Sequence, residues 1–249
     1  MTKSRIQQEK IFGDFIRLLR NKRRYFCQHD FLKILDESFE NNFEIINDNK
    51  HLYRARRMSK KEYKERKDTL IDNDPFQGFD KKNSFIPPVK SIRANRVNTN
   101  GIPCLYTARS IKTAIAEVRP FKETLVSVAT IELKQPLKLY KFNYPENYSK
   151  LDEKTFWNTL PFWYVMLISM FSVPCEFTNN DEYLVTQCIS EYIRLSGEFD
   201  GILYKSSLDD NGENIAVFNF INKKYSLCEP IKSQVYTVNS ININYTKKV

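Results

Sequence analysis

Histidine is almost missing from this 249-residue chain, with His29 and His51 the only two. That scarcity removes most histidine-centred triads and metal sites, so no metal is expected and any chemistry falls to carboxylates. Cysteine is sparse and scattered. Cys27, Cys104, Cys175, Cys188 and Cys228 stand singly, without the paired spacing of a zinc site or a disulfide framework, and a reducing, cytoplasmic setting is the simplest expectation. Glycine supplies only 6 residues while hydrophobic residues make up 41%, which excludes a low-complexity or disordered chain. Long apolar runs are lacking too. The most apolar stretch, Pro161 to Val173, is too short to cross a bilayer and reads as a buried helix, and the stretch after Lys3, Arg5 and Lys10 lacks the apolar centre of a signal peptide. The sequons at Asn147 and Asn244 are short patterns that arise by chance and carry no weight in such a setting.

What is present is positive charge. A formal charge of +9 suits nucleic acid, a membrane surface or a phosphorylated small molecule, and does not choose among them. Residues 1–46 show helical periodicity at Ile11, Phe15, Ile16 and Leu19 and again at Phe31, Leu32, Leu35 and Phe39, which predicts a helical N-terminal extension ahead of a domain at 47–249. Arg20, Lys22, Arg23 and Arg24 form a basic turn between its helices, and such turns are most often solvated. Further along, His51 to Arg56, Leu125 to Leu133, Leu137 to Tyr140, Ile202 to Tyr204 and Ile215 to Phe220 read as strands. Met58 to Lys67 reads as an exposed helix or loop, Phe79 to Asn100 as an irregular loop, and Tyr183 to Ser196 as a helix closed by Gly197. Helices interleaved with short strands give an α+β fold with a mixed β core and flanking helices.

The densest chemistry lies between Arg96 and Pro120. Asn98, Asn100 and Gly101 form a turn, Cys104 to Thr107 a short buried strand, and Ser110 caps a helix whose apolar face is Ala114, Ile115 and Val118, ended by Pro120. Glu117 rides on that helix. Beside apolar neighbours a carboxylate must stay solvated, find a partner or shift its pKa, and nearby arginines offer compensation. These residues alone leave Glu117 open between an ordinary helix-surface glutamate and a reactive carboxylate.

Ordered fragments from Leu52 onward resemble the RES domain family, named for its arginine, glutamate and serine. Leu52-Tyr-Arg-Ala-Arg56 resembles the opening strand with its arginine, Phe85 to Pro88 the proline-rich loop, and Arg96-Val-Asn98 with Gly101-Ile-Pro103 the arginine turn. Leu105-Tyr-Thr-Ala108 and Thr113-Ala-Ile-Ala-Glu117 resemble the tyrosine strand and glutamate helix. Thr186-Gln187, Ser190-Glu191, Asp200 to Tyr204, Ser206-Ser207 and Asn214 follow in the family's order. The likeness spans about residues 50 to 222, and its specificity lies in the co-occurrence, since each fragment alone is weak.

The resemblance implies an ADP-ribosyltransferase-like fold and an enzyme that consumes NAD. It implies cleavage of the nicotinamide–ribose bond with phosphate or water as acceptor, in the toxin of a bacterial toxin–antitoxin pair whose antitoxin is a helix-turn-helix protein. Arg54 and Arg96 would hold the pyrophosphate, Tyr106 would pack near the nicotinamide or its ribose, and Glu117 would stabilise the oxocarbenium-like ribose. Ser206 would orient Glu117 or meet the substrate, with Ser207 the alternative, and Asn214 would support the pocket. Arg119 is open between a partner for Glu117 and a solvated helix-end charge. Two other functions stay in view: ADP-ribosyl transfer to a protein or nucleotide, and a basic nucleic-acid-binding module built on Arg20 to Arg24 and Lys60 to Lys67.

Overall fold

The structure, a computed structural model, describes residues 3–22, 28–145, 148–150, 152, 155, 159–173, 183–218 and 226–241. Arg23 and Arg24 of the basic turn, Cys27, Cys175, the two sequon asparagines, and Asn219 and Phe220 at the end of the last expected strand lie outside these residues.

Eight strands form one mixed sheet: β1 (Phe43–Ile46), β2 (His51–Met58), β3 (Leu105–Ala108), β4 (Leu125–Leu133), β5 (Leu137–Phe142), β6 (Gly201–Lys205), β7 (Glu213–Val217) and β8 (Cys228–Thr237). Their spatial order is β1-β5-β6-β7-β3-β2-β4-β8, with β5 and β6 parallel and the other pairs antiparallel. Six helices accompany them among the described residues: α1 (Lys3–Asn21), α2 (Asp30–Glu37), α3 (Lys60–Thr69), α4 (Ile111–Glu117), α5 (Phe162–Ser172) and α6 (Leu184–Ser196). The fold is therefore mixed α+β.

Period-two alternation divides the sheet's side chains between two cores. Tyr140, Phe142, Ile202, Tyr204 and Ala216 face one way, into a large aromatic cluster with Trp163, Phe171 and Ile189 of α5 and α6. Leu137, Leu139, Leu203, Ile215 and Val217 face the other, with Leu52, Leu105 and Ile131, under Phe85 and Ile86 of the long loop. Phe12, Phe15 and Leu19 of α1 recur on one helical stripe and enter the aromatic cluster, as do Phe31 and Leu35 of α2. The Phe31 ring meets Trp163 edge-on at 5.4 Å. His29 starts α2 by accepting the Phe31 N–H at Nδ1 (3.2 Å), a capping role in place of a catalytic one.

One expectation for the N-terminal residues is corrected. Residues 43–46 are not helical: Phe43–Ile46 is the edge strand β1, paired antiparallel with β5 from Phe43–Tyr140 to Ile46–Leu137. Its β-branched isoleucines favour extended backbone, and Ile46 gains a buried site that a helix would deny it. Arg109 pins this edge to the sheet's middle, pairing with Glu44 on one side and with Glu213 (2.6 Å) on the other.

The sheet has one weak seam. β2 pairs with β4 along eight residues, from His51–Glu132 to Met58–Leu125, but with β3 only at Tyr53–Ala108. Because α1 and α2 complete the aromatic cluster, Phe31→Ala is expected to cost about 3–5 kcal/mol and to destabilise the whole chain in one urea transition. A separate early transition for the N-terminal helices, with the rest unaffected, would show that they are packed on loosely.

Candidate active site

Ser110 opens α4 by accepting the Thr113 N–H at its hydroxyl (3.0 Å). The helix does not run on to Pro120. It ends at Glu117, and Arg119 turns the chain with a left-handed φ of 47°. A carboxylate on the last helical residue sits against the negative end of the helix dipole, an unfavourable place unless donors meet it. Two do, and both aim at Oε1: the Ser206 hydroxyl at 2.6 Å and the Asn214 side-chain amide at 2.6 Å.

The donors arrive from the sheet. Asn214 lies on β7, opposite Ala108 of β3, and Ser206 directly follows β6. The turn between them is fastened to α4: Ser206 N–H donates to the Gly212 carbonyl (2.9 Å), and the Asp209 carboxylate accepts from Thr113 Oγ1 and Lys112 Nζ, each at 2.7 Å. Lys112 and burial of opposing sign compete at Asp209, and the hydrogen bonds win, holding its carboxyl below the usual range. Gly212 is required by closeness, since a Cβ there would come within 2.7 Å of Thr113. Ser206 is buried and Ser207 exposed, so Ser206 is the serine that reaches Glu117.

Arg54 lies on β2, at the seam. Its Nη1 is buried without a hydrogen-bond partner, and no carboxylate among the described residues pairs with it. Burial pushes its guanidinium down to about 10, with the charge of Arg56 a smaller second cause. The group is still a cation at neutral pH. Arg96 is more committed: buried, it donates from Nη1 to the Phe171 carbonyl (3.0 Å) and stands over the Tyr204 ring at 5.9 Å, while its Nε has no partner. The Tyr106 hydroxyl donates to Asn98 Oδ1 (2.7 Å) and accepts the Val97 N–H (3.1 Å), so this tyrosine holds the turn that carries Arg96. Burial first, and the neighbouring Cys104 and Tyr204 next, push that hydroxyl's pKa well up, so it stays a neutral donor. Gln187 of α6 fastens the same turn through the carbonyls of Asn95 (2.8 Å) and Asn98 (3.2 Å).

Arg54, Arg96, Tyr106, Glu117 and Asn214 all line one cavity of about 570 Å³, a size that fits a small-molecule ligand. Ser206 is not on its wall and acts on it through Glu117. Arg57, Arg119, Tyr183 and Tyr204 also line it. Tyr204 ends a strand segment singled out in the sequence, but nothing in its local pattern marked it as a cavity residue; Arg57 had no signal beyond a charge beside two other arginines.

Other reactive groups are quiet. Burial pushes the Cys104 and Cys228 thiols up to about 12, which makes poor nucleophiles of them. No group of three or more His, Cys, Asp or Glu that could hold a metal occurs among the described residues. No described helix is long and apolar enough to cross a membrane. In the basic stretch Lys60 to Lys67, α3 has no buried residue, and its half-buried Arg66 is spent internally, on Asp74 and the carbonyls of Phe76 and Gly78.

Since Arg54 lacks an anion, Arg54→Met is expected to raise the melting temperature of the ligand-free protein. Inorganic pyrophosphate is expected to raise the melting temperature of the wild type, and Arg54→Met is expected to lose that response. A lower melting temperature with an unchanged pyrophosphate response, read by differential scanning fluorimetry, would assign Arg54 a purely structural role.

Comparison with known proteins bears on this arrangement. No curated protein matches the chain. Among solved structures, a chain of the "Crystal structure of the M.tuberculosis MbcT-MbcA toxin-antitoxin complex" aligns over 83% of this chain and 91% of its own, at 10% identity and a TM-score of 0.42, too distant to carry an argument. The RES domain profile matches residues 51–239, which include every residue gathered around Glu117. The chain belongs to the RES domain family.

Proposed function

We propose that this protein degrades NAD by breaking the bond between nicotinamide and ribose. The observation that carries the reading is one cavity holding a carboxylate oriented by two donors and a half-buried arginine whose Nη1 is buried without an anion. NAD supplies the complement of both, a pyrophosphate for Arg54 and Arg96 and a ribose that turns cationic as its glycosidic bond breaks. The Tyr106 ring forms the wall beside the nicotinamide or its ribose.

In the reaction the electron pair of the C1′–N bond leaves with nicotinamide, which departs neutral. Glu117 stabilises the positive charge growing on the ribose, and Ser206 and Asn214 keep its carboxylate in place. An oxygen of phosphate or water then bonds to C1′, giving ADP-ribose phosphate or, with loss of a proton, ADP-ribose. Membership of the RES family supports a toxin acting in the cytoplasm and restrained by a helix-turn-helix antitoxin, and the same chemistry with a protein nucleophile would be ADP-ribosyl transfer. The nucleic-acid reading has less support, because Arg66 in its basic stretch is already engaged within the fold.

The test is NAD consumption by the purified protein with and without phosphate, with nicotinamide and the ribose product separated. Glu117→Gln is expected to lower kcat by about 10²–10³-fold. Ser206→Ala, which removes one hydrogen bond to a charged group, should lower it by about 10–100-fold. Intact NAD under both conditions with verified folding, or turnover that survives Glu117→Gln, would overturn the reading.

A further inference from the structure

The end of α4 has an unusual cap. A helix closes most easily on a glycine in the left-handed region, yet the residue that turns this helix is Arg119, at φ 47° with a full side chain. The last carbonyls of a helix also lack intrahelical partners. At this end the Ile115 and Ala116 carbonyls accept from the Val118 and Arg119 N–H groups, and the next two carbonyls are met from the neighbouring strand: Arg57 of β2 donates from Nε to the Val118 carbonyl (2.6 Å) and from Nη2 to the Arg119 carbonyl. Its guanidinium also stands over the Phe121 ring at 5.5 Å, just beyond Pro120. One side chain thus holds the carbonyls of the two residues that follow Glu117.

We propose that Arg57 is a positioning residue for Glu117, fixing where the carboxylate stands by capping the end of its helix. The proposal rests on reading Glu117 as the carboxylate that meets the ribose. Ser206 and Asn214 set the carboxylate from the β6 and β7 side, while Arg57 sets the backbone beneath it from the β2 side. Its charge also faces the negative end of the helix dipole, the direction that favours a neighbouring carboxylate. Because Arg57 lines the cavity as well, the competing role is direct contact with the phosphates of the substrate.

Steady-state NAD turnover separates the two. Loss of positioning predicts that Arg57→Ala lowers kcat by about 10–100-fold while KM moves by less than about 3-fold, and that Arg57→Lys, which keeps a donor and the charge, recovers most of the loss. A raised KM with kcat intact would overturn the proposal in favour of phosphate contact. A second readout does not depend on activity: exchange protection of the Asn214 side-chain amide protons, whose acceptor is Glu117, measured by NMR and assigned with Asn214→Asp. Protection is expected in the wild type and in Arg57→Lys and to be lost in Arg57→Ala; equal protection in Arg57→Ala overturns the proposal whether or not the protein consumes NAD. If the alanine variant fails to fold, Arg57→Met, which keeps an unbranched apolar stem but no donor, carries the same comparison. NAD left intact by the wild type would instead remove the proposed function, and the exchange result would still judge the cap.

Discussion

A single residue pair, Tyr53 with Ala108, joins the two parts of the sheet, and residues from both sides of that seam line the cavity. On one side of the seam β2 contributes Arg54 and Arg57; on the other, β3 and β7 contribute Tyr106 and Asn214. The helix α4 packs against β2, β3, β4 and β7 and so bridges what the strands leave apart. Its last residue, Glu117, is thereby delivered to the gap.

The arginines divide by what they already hold. Arg66 is used on Asp74 and two carbonyls, Arg109 on Glu44 and Glu213, and Arg194 on the Pro103 carbonyl, where it also stacks on Phe218 at 5.3 Å. Arg54 holds nothing comparable. Net charge cannot see this difference, because a cation that staples the fold and one that awaits a ligand count equally. A single buried nitrogen without a hydrogen bond occurs on Arg109 and Arg194 as well, so the distinction is that Arg54 has no carboxylate among the described residues to pair with.

Most of the strand pattern was legible because short runs such as Leu125 to Leu133 and Ile202 to Tyr204 are rich in β-formers and bounded by turn residues. The capped start of α4 was legible at Ser110 and the close of α6 at Gly197, which adopts φ 73°. The strand β8 was not, since Pro230 within Cys228–Thr237 argues against a strand; it is tolerated on an edge strand, beside a register shift opposite Thr130 and Ile131. The edge strand β1 was hidden in the helical reading of residues 1–46 because four residues give too little periodicity to separate it. At the site, the order of fragments pointed to Glu117, Arg54 and Asn214, but adjacent serines cannot be told apart without knowing that Ser206 is buried and Ser207 exposed. Arg57 was invisible for a different reason: its partners are backbone carbonyls some sixty residues away, which no sequence pattern names.

The contribution of α1 to the aromatic cluster has a consequence for how the molecule comes into being. Its partners on α5 and α6 are encoded some 150 residues later, and the donors to Glu117 are as distant from Arg54. Contacts of such long range form late, because loop closure must precede them. A chain emerging from the ribosome therefore holds an unsheltered α1 until α5 and α6 appear, and it has no assembled site until β7 follows. A product truncated before β7 would be poorly folded and would lack the Asn214 donor to Glu117.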